Sequence, residues 1–148
     1  MSGARPAHAR AALLLVVGLA GCSSDTSRLT PEQETRFNAE GILHRADNVT
    51  FRYTHDPGTP SAGWEDRRGS IIVTRQTVLI HKNQKIGIEI APTRRRFYEV
   101  NRDGTRVRLG AGSGQSREVW SFAPPDDPDG WARDIRAVIR LTKGAASP

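Results

Sequence analysis

Seven short runs with apolar or β-branched residues at alternate positions, each closed by turn-forming residues, dominate the chain between residues 48 and 123. Alternation puts every second side chain on one face of a strand, and such a face is buried only by pairing strands into a sheet. Residues 48–53 place Val49, Phe51 and Tyr53 on one side. Residues 70–74 and 77–82 are β-branched runs separated by the tight break Arg75-Gln76, and Asn83-Gln84 turns the chain into 85–90, where Ile86, Ile88 and Ile90 share a face. The runs 97–101 and 105–109 flank Asp103-Gly104, a strong hairpin signal. Val107 and Leu109 should then point inward, with Arg106 and Arg108 outward. Residues 110–116 are glycine-rich and read as a loop before the seventh run, 117–123. Residues 55–68, with Pro57, Gly58, Pro60 and Gly63, read as a long loop.

The last element has a different period. Trp131, Ile135, Val138 and Thr142 follow one another at helical spacing, with Ile139 alongside, and so form one apolar stripe. Asp127-Pro128 supplies a cap and a first-turn proline, and Gly144 reads as a C-cap. A shorter helix is predicted over 31–41, started by Thr30-Pro31 with Gln33 at the capping-box position.

Seven strands followed by one amphipathic helix with an early tryptophan resemble, over about 46–143, the pleckstrin-homology-like family, including its bacterial and GRAM-type members. The hairpin formed by Gly69-Ser70-Ile71-Ile72-Val73-Thr74 and Thr77-Val78-Leu79-Ile80 carries the nearest local likeness. The resemblance implies a mainly β fold, a seven-stranded split antiparallel barrel of two nearly orthogonal sheets. The C-terminal helix would plug one open end, with Trp131 as its main side chain. An NTF2-like fold would want more helix before the sheet, and a lipocalin-like barrel an eighth strand.

The N-terminus speaks to location. Arg5 and Arg10 precede an apolar stretch over 11–17 that is too short to span a bilayer. Leu19-Ala20-Gly21-Cys22 closes it and holds the only cysteine. This order resembles a bacterial lipobox. The resemblance implies cleavage between Gly21 and Cys22, a diacylglycerol on the Cys22 sulfur and an acylated amine. Residues 1–21 are then a signal peptide, 22–30 a tether, 42–144 the barrel domain and 145–148 a tail. With Ser23 after the cysteine, the implied location is the periplasmic face of the outer membrane in a Gram-negative cell. In a one-membrane cell it is the outer face of the plasma membrane.

Removing the signal leaves 148 − 21 = 127 residues, enough for one domain with a real core. The 22 Lys and Arg against 16 Asp and Glu become 20 against 16, a net +4. A basic surface favours acidic lipids, anionic glycans or an acidic protein, and an exported chain is a poor partner for nucleic acid. With Cys22 acylated, neither a disulfide nor a cysteine metal site is available.

No catalytic set stands out, and no cofactor or metal is expected. His44, His55 and His81 lack metal-ligand spacing, Gly110-Ala111-Gly112-Ser113-Gly114 precedes a strand rather than a helix, and Asp126, Asp127 and Asp129 fit a helix cap better than a calcium loop. Three features are candidates for binding. Arg67 and Arg68 precede the second strand, and Lys82 and Lys85 flank the turn after the third, the region where phosphoinositide-reading relatives meet a headgroup. Trp64 lies in the long loop and suits a bilayer interface or a protein partner. Arg94, Arg95 and Arg96 are three adjacent guanidinium groups that can clamp phosphates or an acidic partner. The chain is therefore expected to be a non-enzymatic, lipid-anchored binding module of the envelope with a protein partner. Recognition of anionic lipid headgroups or glycans is the alternative. A small hydrolase would need an inward-facing polar cluster that the sequence does not supply.

Overall fold

A computed structural model describes residues 29–59, 62–82, 85–94, 96–113 and 116–144. Helix α1 (Pro31–Glu40) is followed by strands β1 (Ile42–His55), β2 (Glu65–Thr74), β3 (Val78–Lys82), β4 (Lys85–Ile90), β5 (Phe97–Asp103), β6 (Arg106–Ser113) and β7 (Ser116–Phe122), then helix α2 (Pro128–Gly144). The seven strands form one antiparallel sheet in the order β4-β3-β2-β1-β7-β6-β5, curled into a half-barrel. This is the expected mainly β class and is consistent with a pleckstrin-homology-like fold. The two expected sheets are hydrogen-bonded into one because β1 serves both halves. It pairs with β2 from Ile42 to Tyr53 and with β7 from Arg52 to His55. The edges β4 and β5 are tied by a side chain, as Tyr98 Oη donates to the Glu89 carbonyl at 3.2 Å.

The strand interiors obey their alternation. Phe51, Ile71, Val73, Val78, Ile80, Ile88, Val107, Leu109, Trp120 and Phe122 point into one core. Helix α2 closes that core, packing most extensively on β5. Its stripe is buried as predicted, through Trp131, Ile135, Val138, Ile139 and Thr142. Trp131 stacks on His44, with ring centroids 4.6 Å apart, meets Phe122 edge-on at 5.5 Å, and donates from Nε1 to Asp126 Oδ1 at 2.9 Å. Helix α1 has its capping box: Gln33 N donates to Thr30 Oγ1 at 3.2 Å, and Thr30 N donates to Gln33 Oε1 at 2.9 Å. It buries one large apolar side chain, Phe37, on the outer face of the sheet against Ile72 and Leu79.

Four boundaries differ from expectation. The loop expected over 55–68 is shorter, because β2 starts at Glu65; Arg67 and Arg68 lie within the strand. Pairing with β1 extends that far, from Tyr53↔Glu65 onward. Most of the glycine-rich stretch is strand, since Gly110, Ala111 and Gly112 pair with both β5 and β7. Strand β1 begins at Ile42, well before residue 48, through two irregularities in its pairing with β2. Gly144 is the last residue of α2 rather than a cap beyond it.

The junction between α2 and β1 is expected to weaken in acid. His44 Nε2 lies 2.8 Å from Asp134 Oδ2, and Arg133 Nε donates to Asp134 Oδ1 at 2.9 Å. The Arg133 hydrogen bond, helped by His44, holds the Asp134 carboxyl below its ordinary value near 3.8, against partial burial that pushes it up. A depressed folded-state value means that this group's stabilisation is complete above the ordinary value and is lost as pH falls through the folded one. Thermal melts from about pH 7 down to about pH 2.5 should show a shallower acid limb for Asp134→Asn than for wild type. Parallel limbs would show that the junction contributes nothing to acid sensitivity.

Candidate functional site

The inner face changes character at one end of the half-barrel. Along β2 the inward row is Val73, Ile71, Gly69 and then Arg67; along β3 it is Val78, Ile80 and then Lys82; along β7 it is Phe122, Trp120 and then Glu118. Because β2 and β7 start, and β3 finishes, at the same end, the three charged termini of these rows converge. Lys85 and Ile86 at the start of β4, with Gly87, complete a cavity of ≈ 350 Å³.

Arg67 is placed tightly. Its Nη2 donates to Glu65 Oε2 at 2.9 Å, and its Cζ stands 3.5 Å from the Tyr53 ring centroid and 5.6 Å from that of Trp120. Burial raises the Tyr53 phenol above its ordinary value; Glu118 adds to the rise and Arg67 opposes it. Glu118 is held by Arg96, with Nη1 to Oε1 at 3.3 Å. Lys82 and Lys85 have no ion-pair partner among the described residues. The floor is Trp120, whose Nε1 is buried without a hydrogen-bond partner among the described residues.

The β3–β4 pairing slips at this site. Ile80 faces Ile88 but His81 faces Ile86, which leaves Gly87 in a bulge. A Cβ on Gly87 would stand 3.0 Å from Trp120 Cη2, so glycine lets β4 close over the indole edge. The slip also corrects the expectation for Ile86. It does not join Ile88 and Ile90 in the core but sits at the cavity mouth, 49% exposed.

The other predicted residues are distributed differently. Arg68 is exposed on the outer face of β2, away from the cavity. Trp64 is exposed just before β2, with Arg52 Cζ 5.4 Å and Arg108 Cζ 5.8 Å from its ring centroid. Arg94 and Arg96 are each engaged by a different acid. Arg94 Nη2 lies 2.9 Å from Glu89 Oε2, Glu89 Oε1 also holds Arg36 Nη2 of α1 at 3.1 Å, and Arg96 is spent on Glu118. Arg95, Gly21 and Cys22 lie outside the described residues, as does the predicted turn at Asn83-Gln84. The three aspartates of the α2 entry have structural tasks: Asp126 accepts from Trp131, the Asp127 carbonyl accepts from Trp131 N at 3.1 Å, and Asp129 pairs with Arg102. Glu118, Trp120, Arg52 and Arg108 were missed as site residues. The alternation of β7 could have found Glu118, which shares a face with Trp120.

Among the described residues the cavity offers three cations, one carboxylate paired with Arg96 and an aromatic floor. Compared with known proteins, the chain matches no family model and no curated protein.

Proposed function

We propose that this protein is a lipid-anchored, extracytoplasmic binding module of the bacterial envelope, and that the open end of its half-barrel receives an anionic group. The carrying observation is the convergence of Arg67, Lys82 and Lys85 around one cavity, with neither lysine paired to an acid among the described residues. A cavity of this size suits a small polar ligand. Three cations at its wall favour a phosphate or carboxylate, and Glu118 adds an acceptor for hydroxyl groups. A phosphorylated lipid headgroup and an acidic glycan share this chemistry. The engagement of Arg94 and Arg96 in ion pairs shifts weight from the adaptor reading toward this one.

Calorimetric titration with glycerol phosphate and with a uronic-acid oligosaccharide separates the two sources. Lys82→Ala combined with Lys85→Ala should weaken the productive ligand by roughly tenfold or more, since hydrogen bonds to charged groups contribute about 1.5–3 kcal/mol each. Trp64→Ala should leave that affinity unchanged, and added salt should lower it. Equal affinity in wild type and the double variant would refute the cavity as the site. Anchoring has its own check. Wild type should fractionate with membranes, Cys22→Ala should not, and mass spectrometry should find an acylated N-terminal peptide.

A further inference from the structure

Trp64 differs from the other two tryptophans. Trp120 and Trp131 are 2% and 1% exposed, whereas Trp64 is 44% exposed. It stands by the outer face of the sheet, between Arg52 of β1 and Arg108 of β6. The register places Asp66, Arg52, Ser121, Arg108 and Asn101 in one row across β2, β1, β7, β6 and β5, a row with two cations and one acid, and Arg68 adds a further exposed cation to the same face of β2. Among the described residues Arg52 has no ion-pair partner, and Arg108 reaches only Asp103, at 3.9 Å.

An indole half in water prefers the headgroup layer of a bilayer, where its apolar body and its N–H are both accommodated. A guanidinium group prefers phosphate oxygens. We infer that the outer face around Trp64, Arg52 and Arg108 docks onto an anionic bilayer surface. The choice of occupant rests on charge complementarity and on the proposed anchoring through Cys22. The segment 22–30 reaches at most about 30 Å, so acyl chains on Cys22 would hold the domain close to the membrane. The outer face described here presents an indole and guanidinium groups that fit such a surface.

The test uses the chain from residue 22 with Cys22→Ala, which lacks the acyl anchor and keeps every described residue. It is mixed with phosphatidylcholine vesicles that carry brominated acyl chains, with or without phosphatidylglycerol. Since the other two tryptophans are buried, an emission blue shift and bromine quenching report on Trp64. Both should appear on the anionic vesicles, be absent on pure phosphatidylcholine, and fade with salt. Arg52→Ala and Arg108→Ala should each lower vesicle partitioning about fivefold, with unchanged far-ultraviolet circular dichroism. Trp64→Phe should abolish the quenchable emission. Arg136→Ala, which removes an exposed cation from α2 on the opposite side of the sheet, should leave the quenching intact. A lack of anionic-vesicle binding overturns the inference. So does a vesicle-bound protein whose Trp64 stays open to aqueous acrylamide, or binding that is indifferent to both arginine variants. Because no acyl chain is involved, these outcomes do not depend on the fractionation result for Cys22.

Discussion

Trp131→Ala is expected to lower the free energy of unfolding by about 3–5 kcal/mol. This is a large share of the roughly 5–15 kcal/mol available to a domain of this kind. The side chain is 1% exposed and is the point at which α2 enters the half-barrel. Its removal leaves a cavity bounded by Phe122 on one side and the His44 ring on the other. The sheet cannot collapse into that space, because β1 and β7, which carry His44 and Phe122, are fixed by their own ladders. Trp131→Phe should restore much of the packing but not the bond to the Asp126 carboxylate, which is worth about 1.5–3 kcal/mol. Urea unfolding of the three proteins measures this directly. An alanine variant within 1 kcal/mol of wild type would mean that α2 does not plug the barrel.

Gly69→Ala is expected to destabilise by about 1–3 kcal/mol, the range for forced overpacking, and to weaken anion binding as well. A Cβ on Gly69 would press into the His81 carbonyl oxygen and lie 3.5 Å from the Lys82 Cα. Both are backbone atoms of β3, so relief cannot come from a side-chain rotation. Strand β3 must move, and Lys82 at the cavity wall moves with it. Gly63→Ala, where nothing lies within 4 Å, is the neutral control. A Gly69→Ala protein with wild-type stability and ligand affinity would show that the β2–β3 crossing is looser than described.

The helices show how far local signals carry. The capping box of α1 and the stripe of α2 depend on residues three to four positions apart, and both are present as read. Strand alternation was equally legible, and it placed Val107 and Leu109 inward correctly. Boundaries were not legible where glycine and proline signals competed with pairing. Gly110 and Gly112 look like loop residues, yet each has strand neighbours on both sides, and that ladder overrides a weak strand propensity. Ile86 failed for a related reason. Its face is set by a bulge in β4 at Gly87, which passes close to the edge of Trp120, a residue more than thirty positions away.

The candidate site divides along the same line. Arg67, Lys82 and Lys85 were expected, with Arg68, to form one basic region, and the curled sheet brings these three to one wall. Arg68, next to Arg67, goes to the opposite face because strand neighbours alternate. Arg94 and Arg96 looked like a clamp until Glu89 and Glu118 came within reach from other strands. Nothing near position 64 indicated that Arg52 and Arg108 would flank Trp64.

The sequence by itself determined the element types, their order and the inward faces outside the β4 bulge. These follow from periodicity and capping chemistry, which act over a few neighbouring residues. The tertiary structure alone decided which charges meet, which are neutralised and which tryptophan stays in water. Those outcomes depend on strand register, through which one antiparallel ladder aligns residues dozens of positions apart.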